Sequence, residues 1–446
     1  MSDVTNAVDP TGNVAGTPTQ ATESEPPVAS AAPSPAPESA PSTAKAPLLR
    51  IGIMLGLAGI GWPIAFGAAS NVLLPARLAE LDSTGKTAAL GTLTIAGSVI
   101  ALLANILFGA LSDRTRSRWG SRNPWVALSS VAAAASMAMM ATAGSVLTLG
   151  IWWCVFQLFL NALLAPLVAI VADRVPHLRR GTISAAYGSG TALGMALGAI
   201  LGSRFLTDTS TGFVVLPLGM LAVGLLFPFV ARDDSNRHEP RPALTAGTLL
   251  ASFAIPRNCP DFLWGIAARL LTVLSFFAVV TYQLYILTDY MHASPAVAAT
   301  TIGAAGLALA GGAVLAGAVA GPISDAIGRR KLPVIIASLM TALGALLPLI
   351  SPHPGTMIAF AALAGAGYGI YLSVDSALMT ELLPDQTSRG KDLGILNVSN
   401  TGGQIIAPAV GSLTVGITHS YAPMFVIAAV MGVAAALCMK PIRGVR

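Results

Sequence analysis

A chain of 446 residues that is 54% apolar and only 10% charged stands apart from soluble domains, in which about 25% of residues are charged. So little charge excludes an ordinary water-facing surface and points to a protein that faces lipid. A formal net charge of +5 would suit nucleic acid, but the placement of the basic residues argues for membrane topology and against nucleic-acid binding.

Residues 1–47 are Pro, Ala, Ser and Thr with almost no bulky apolar side chain. Such a segment cannot bury a core, so it is predicted to be a disordered tail. It also lacks the apolar stretch of a signal peptide.

Apolar runs follow near 51–75, 89–112, 124–144, 146–172, 182–204 and 213–231, then near 262–288, 296–322, 333–350, 355–380, 392–417 and 421–440. A run of about 18 apolar residues can cross a bilayer as a helix. One such run could be a buried helix of a soluble protein, but twelve in succession could not. Polar–apolar alternation is absent, which argues against a membrane β-barrel. The predicted fold class is an all-α membrane protein with twelve transmembrane helices.

The turn GALSDRTRSRWGSRNPW, residues 109–125, concentrates Arg114, Arg116, Arg118 and Arg122 between two apolar runs. Lys and Arg gather in cytoplasmic loops. With the N-terminus inside, every Lys and Arg except Arg77, Lys86, Arg204 and Arg269 falls on the cytoplasmic side. An even number of spans then returns the C-terminus to that side. A cell-membrane protein with both termini cytoplasmic is expected.

The chain repeats itself. GALSDRTRSR begins at Gly109 after the second run, and GPISDAIGRRK begins at Gly321 after the eighth. ADRVPHLRRG follows the fourth run and TELLPDQTSRG the tenth. Residues 48–231 and 262–440 therefore read as two copies of a six-helix bundle. Residues 232–261 read as a cytoplasmic linker and 441–446 as a cytoplasmic C-terminus. Paired repeats that rock about a central site are a recurring design of secondary transporters.

On these motifs the chain resembles the major facilitator superfamily over everything after the tail. The family's loop signature is a Gly, three residues, an Asp and then basic residues. Gly321, Asp325, Gly328, Arg329 and Arg330 match it, as do Gly109, Asp113 and Arg114. The departure into TRSRWGSRNPW is similar to the branch of sucrose/proton and glycoside–pentoside–hexuronide:cation symporters. DFLWGIAARLL, YQLYILTDY, VDSALMTELLP and KDLGILNVSN look like that branch too. The resemblance implies alternating access, with spans 1, 4, 7 and 10 lining a central cavity. Its expected partners are a small-molecule substrate, a proton or other cation, and membrane lipid, and the carrier is expected to be a monomer.

Gly109 and Gly321 are expected to let a helix end approach its neighbour closely. Asp113 and Asp325 can pair with arginine or a helix N-terminus. Two roles remain open for the motif: a charged latch that closes one face in one state, or a topological anchor.

Nothing points to catalysis, a cofactor or a metal. No G-x-x-x-x-G-K-[ST] loop occurs, which argues against ATP drive. YGSGTALGMALG lacks the spacing of a dinucleotide loop. Its glycines, continued as Gly190, Gly194, Gly198 and Gly202, recur every four residues and predict close helix packing. The five histidines lie at span ends or in loops, and Cys154, Cys259 and Cys438 show no metal spacing and are expected as free thiols.

Ionisable residues inside spans are costly and mark function by default. Arg269 in the seventh span and Asp375 in the tenth both lie about 9–10 Å from the cytoplasmic ends at 1.5 Å per residue. Equal depth permits a pair: a proton-coupling carboxylate with its arginine partner, or a static ion pair that fixes packing. Glu381, Asp392 and Asp173 are expected at the interface and Asp289 on the outside. The polar candidates for substrate are Asn71, Gln157, Asn161, Tyr282, Gln283, Tyr285, Tyr368, Tyr371, Asn397, Asn400 and Gln404. Amides offer paired donors and acceptors, and aromatic faces suit a sugar ring, though each residue could equally make an interhelical bond. The expected function is cation symport of a sugar or glycoside. Drug/proton antiport is the alternative in transport, and the fifth span lacks the proline of the efflux motif. A non-transporting receptor is the alternative of another class, with no long soluble domain to favour it.

Overall fold

The computed structural model describes residues 45–238, 259–382 and 389–442. For residues 45–47, His177, Asp325, Ser376, Ala377, Thr380, Glu381 and residues 389–398 only the backbone is described. The expectations for the tail, for most of the linker, and for the side chains of Asp325, Glu381, Asp392 and Asn397 lie outside the described residues.

Among the described residues all regular structure is helical, in twelve passes. In chain order α1 runs Lys45–Ala68, continues through a π-helical turn Ala69–Leu73 and finishes over Leu74–Leu81. Then come α2 Lys86–Arg114, α3 Asn123–Met140, α4 Val146–Arg174 and α5 His177–Ser203. The sixth pass, α6, is Thr209–Val215 with Leu218–Val230. The second half has α7 Pro260–Val280, α8 Pro295–Ile327, α9 Lys331–Ile350, α10 Pro354–Glu381, α11 Arg389–Thr418 and α12 Ala422–Cys438. Among the described residues nine helices are long and apolar enough to cross a membrane.

Local chemistry sets the ends. Ser145 accepts a hydrogen bond from the Thr148 amide and forms a capping box at α4, satisfying amides that have no partner in the first turn. Ser294 caps α8 and Pro295 follows at its first turn, where a missing N–H costs nothing. Gly328, at φ +60°, ends α8 in the left-handed region that glycine tolerates. Several helices outrun their apolar runs, α1, α5 and α8 by five residues or more. α1 reaches Leu81 because Arg77 and Glu80 pair at 2.7 Å on its last turn. α5 starts at His177 directly after Pro176, and from its first turn the Arg180 guanidinium caps the end of α4 by bonding the carbonyls of Val175 and Ala172, at 3.0 and 2.6 Å. An apolar run reads the stretch in hydrocarbon, whereas helix hydrogen bonding continues into the interface.

The packing carries the repeat. In the first half α1 packs on α5 and α6, α2 on α4, and α3 on α4 and α6. In the second, α7 packs on α11 and α12, α8 on α10, and α9 on α10 and α12. Adding six to each helix number maps the first set onto the second. The halves meet through α2 with α11 and α5 with α8, a pair of contacts that the same shift exchanges. The equivalent helices α1 and α7 also share a π turn near one end, at Ala69–Leu73 and at Ile286–Tyr290. These are two pseudo-symmetric six-helix bundles.

The glycine stripe of α5 lies flat against α1. A Cβ at Gly190 would stand 2.7 Å from the Gly56 carbonyl oxygen, and at Gly194 2.5 Å from that of Ile60. At Gly198 the Ile64 oxygen is 2.8 Å away, and at Gly202 the Ala68 Cα is 3.0 Å away. Only glycine allows backbones this close, and with no hydrophobic drive between helices in lipid such contacts supply much of the packing energy.

Candidate functional site

The loops divide into two faces. One carries the start of α1, the turn 115–122, the segment 231–238 and the turn 328–330, and is rich in arginine. The opposite face carries the turns 82–85, 141–145, 204–208, 291–294, 351–353 and 419–421.

Within the second half, α7 and α10 bring Arg269 and Asp375 together. Nη1 of Arg269 donates to Oδ2 of Asp375 at 2.6 Å, with the side chains 15% and 5% exposed. Tyr371, one turn before Asp375, is buried, and its ring lies 5.7 Å from that of Tyr368. Tyr368 in turn stacks on Phe276 of α7, at 4.5 Å and 12°. The Tyr371 hydroxyl reaches the Asp375 carboxyl, while two buried polar atoms, Arg269 Nε on α7 and Asn400 Oδ1 on α11, have no protein partner. Asn400 lies one turn before Gly403, which packs on Val273 and Leu270 of α7. Buried polar atoms are nearly always satisfied, so two orphans on the adjoining helices α7 and α11 mark a place for water or a polar solute.

The remaining candidates fall elsewhere. On α4, Gln157 is buried against Gly97 of α2, and its carbonyl accepts the Asn161 amide at 2.9 Å. Asn71 lies half-buried in the π turn of α1, and Gln404 half-buried on α11. Tyr282 and Tyr285 are fully buried with their hydroxyls committed, one to the Pro408 carbonyl at 2.7 Å and the other to that of Pro75 at 2.8 Å. Gln283 sits half-buried between them.

Tyr285 belongs to a set of contacts that join the halves on the opposite face. Lys86 at the start of α2 pairs with Asp289 beyond α7 at 2.9 Å, and its ammonium lies 4.9 Å from the Tyr285 ring centroid. Thr87 and Tyr421 share a hydrogen bond at 3.0 Å, and the Tyr421 hydroxyl donates to Asp289 at 3.3 Å. Gly91 of α2 abuts Ser412 of α11, and Gly306 of α8 abuts Ala199 of α5. These contacts hold the two halves together on this side. Reading the sequence did not connect Lys86 with Asp289. The available signal was that both are charges of opposite sign at the arginine-poor ends of spans.

At the arginine-rich face, Arg122 is the hub of the first motif. It is 7% exposed, pairs with Asp113 and with Asp173 at 2.9 Å, and donates to the buried Ser112 hydroxyl. The expectation that Asp113 meets an arginine takes this form, with Arg122 as the partner and Arg114 half-buried beside it. Arg122 sat unnoticed among four loop arginines, although its place just before Asn123-Pro124 makes it the cap residue of α3. Asp233 pairs with Arg174 at 3.5 Å, and burial pushes its carboxyl above the usual range against the pull of that arginine. In the second motif Arg329 is exposed, and its carbonyl accepts the Ser324 hydroxyl at 3.2 Å, while Arg330 is half-buried.

One expectation is corrected. A Cβ at Gly109 or Gly321 would meet nothing within 4 Å, so neither glycine sits at a close helix contact. The halves touch near Gly91 and Gly306, toward the other ends of α2 and α8.

The sequence profile described as Major Facilitator Superfamily matches residues 51–320 and 283–444. No curated protein matches the chain. Among solved structures, a mutant form of the nucleoside transporter NupG superposes with a TM-score of 0.71 at 14% identity, covering 88% of this chain and 99% of that one. A D-xylose-proton symporter superposes with a TM-score of 0.65 at 17% identity, covering 89% and 98%. At such identities the likeness is one of fold. With the profile spanning nearly all the helices, this chain belongs to the Major Facilitator Superfamily and is a multi-pass membrane transporter of that family.

Proposed function

We propose that the protein carries a small polar solute, a sugar or glycoside, by proton symport through alternating access. The buried Arg269–Asp375 pair carries the reading. A carboxylate deep in a membrane bundle, held by one arginine and one tyrosine hydroxyl, can exchange its arginine for a proton when the bundle rearranges. Tyr368 and Tyr371 supply aromatic rings near the pair, and Asn400 on α11 an amide acceptor, groups of the kind that bind a neutral polyhydroxyl ring once the bundle opens. The substrates named for the two structural neighbours, a nucleoside and D-xylose, are of that chemical kind.

By the distribution of Lys and Arg, the arginine-rich face is cytoplasmic and holds both termini. The structure then corresponds to a state closed to the outside. Asp375 is the coupling group and Arg269 its alternating partner, while the Arg122 hub fixes the cytoplasmic ends of α2, α3 and α4.

The test is uptake of a labelled sugar panel into proteoliposomes of known orientation, with and without an inward-directed proton gradient. Gradient-driven accumulation of one sugar that Asp375→Asn abolishes supports the reading. Accumulation undiminished in Asp375→Asn refutes the coupling role, and gradient-driven export of cationic drugs would make the protein an antiporter.

A further inference from the structure

We propose that a groove between α1 and α5 at the arginine-rich face is a seat for an anionic phospholipid, one acyl chain in the groove and the phosphate at Arg179 and Arg50. The inference needs only that the helices span a membrane, and does not depend on the transported solute.

The groove has a volume of about 600 Å³, within the roughly 300–1,000 Å³ of small-molecule sites. Its floor is the close glycine contact of the two helices, at Gly52, Gly56 and Gly190, and its walls are the ridges Leu49–Ile53–Leu57 and Ala186–Leu193. These walls point away from the bundle interior. The inward side of the same pair of helices is marked by Trp62, whose Nε1 donates to the Tyr187 hydroxyl at 3.1 Å. Leu49, Ile53, Leu57 and Leu193 are all exposed, as side chains against hydrocarbon are.

Length and charge choose the occupant. On α1 the groove runs from Leu48 to Ile60, about 18 Å at 1.5 Å per residue. That is close to one leaflet, about half of a ~30 Å hydrocarbon core. Arg179 lines the mouth, and Arg50 is exposed beside Leu49. Neither guanidinium has a partner among the described residues. Next to Arg179, Leu178 is 98% exposed, adding an apolar side chain at the membrane edge. An unpaired Arg179 at the mouth of an apolar slot of leaflet depth, with an unpaired Arg50 on the adjoining turn of α1, complements an anionic headgroup on an acyl chain, and basic pockets between helices on this side hold such lipids.

The experiment uses the purified full-length protein in detergent with dioleoylphosphatidylglycerol or dioleoylphosphatidylcholine, counting retained lipid by native mass spectrometry. The expected result is preferential retention of phosphatidylglycerol. Each basic residue near a membrane surface contributes about fivefold in affinity, so Arg50→Gln with Arg179→Gln should weaken retention about 25-fold if the two act independently. Gly56→Leu fills the slot from a position where a Cβ meets nothing within 4 Å, so it should abolish retention without lowering thermal stability. Equal retention of the two lipids overturns the proposal, as does a Gly56→Leu protein that still holds phosphatidylglycerol. Displacement by millimolar inorganic phosphate would mark a bare anion site and overturn it too. If phosphatidylglycerol binds only after residues 1–44 are removed, the groove seats the tail and the lipid proposal falls.

Discussion

Neutralising one member of the Arg269–Asp375 pair should be far worse than neutralising both. The two side chains are 15% and 5% exposed and 2.6 Å apart. Attraction between unit charges about 4 Å apart, at an effective dielectric near 20, is of order 4 kcal/mol. Desolvation of two buried ions is of similar size and opposite sign, so the pair as a whole adds little, whereas a lone buried charge keeps the penalty and loses the attraction. Removing one partner of such a pair typically costs about 3–5 kcal/mol, and replacing both by neutral groups is often nearly neutral. Arg269→Gln and Asp375→Asn should therefore each destabilise the second bundle by about that amount. The double variant should recover to within about 1 kcal/mol of the parent, where simple addition would give about 6–10 kcal/mol. Thermal unfolding in detergent, followed by tryptophan fluorescence with the four proteins run side by side, measures the coupling. Additive losses would refute the account of the pair as mutually compensating charges. The double variant separates structure from coupling as well, since it should fold like the parent yet show no proton-driven accumulation.

Gly194→Ala places a Cβ 2.5 Å from the Ile60 oxygen, an overpacking expected to cost about 1–3 kcal/mol. Gly56→Ala, on the other helix of the same contact, meets open space and should be neutral or gain up to about 1 kcal/mol of helix propensity; equal thermal shifts for the two would contradict the packing described. Lys86→Met breaks the ion pair with Asp289 that links α2 to the segment after α7. A pair this exposed is worth up to about 1 kcal/mol, so the population open at that face should rise about fivefold, read as faster thiol labelling of Ser412→Cys. An unchanged labelling rate would remove Lys86 from the closure. For Asp233, burial raises the folded-state pKa, so the folded protein binds more protons than the unfolded one through the carboxylate range. Its contribution is then favourable at low pH and fades as pH rises through that range. Asp233→Asn should remove this slope, gaining thermal stability relative to the parent as pH rises from 4 to 7, and a relative loss over that interval would mean that the Arg174 pairing outweighs burial.

What could be read along the chain was whatever one segment decides for itself. The free energy of moving a run of side chains into hydrocarbon is local, so Ala-, Leu- and Val-rich stretches announced the helices. The every-fourth spacing of Gly190, Gly194, Gly198 and Gly202 announced a face that another backbone must touch. The depth of Arg269 and Asp375 in their spans was countable from sequence, and two opposite charges at one depth in a bundle have little else to pair with. Which surfaces face each other across the halves is a property of two rigid bodies and of the state they occupy. Lys86 and Asp289 lie 203 positions apart, and Arg122 looks like any other loop arginine until α2, α3 and α4 surround it. Gly109 and Gly321 follow the same rule. Their sequence context promised close contact, but the bundles lean together at the other ends of α2 and α8, and that tilt is set by the sum of all interhelical contacts, which no single stretch encodes.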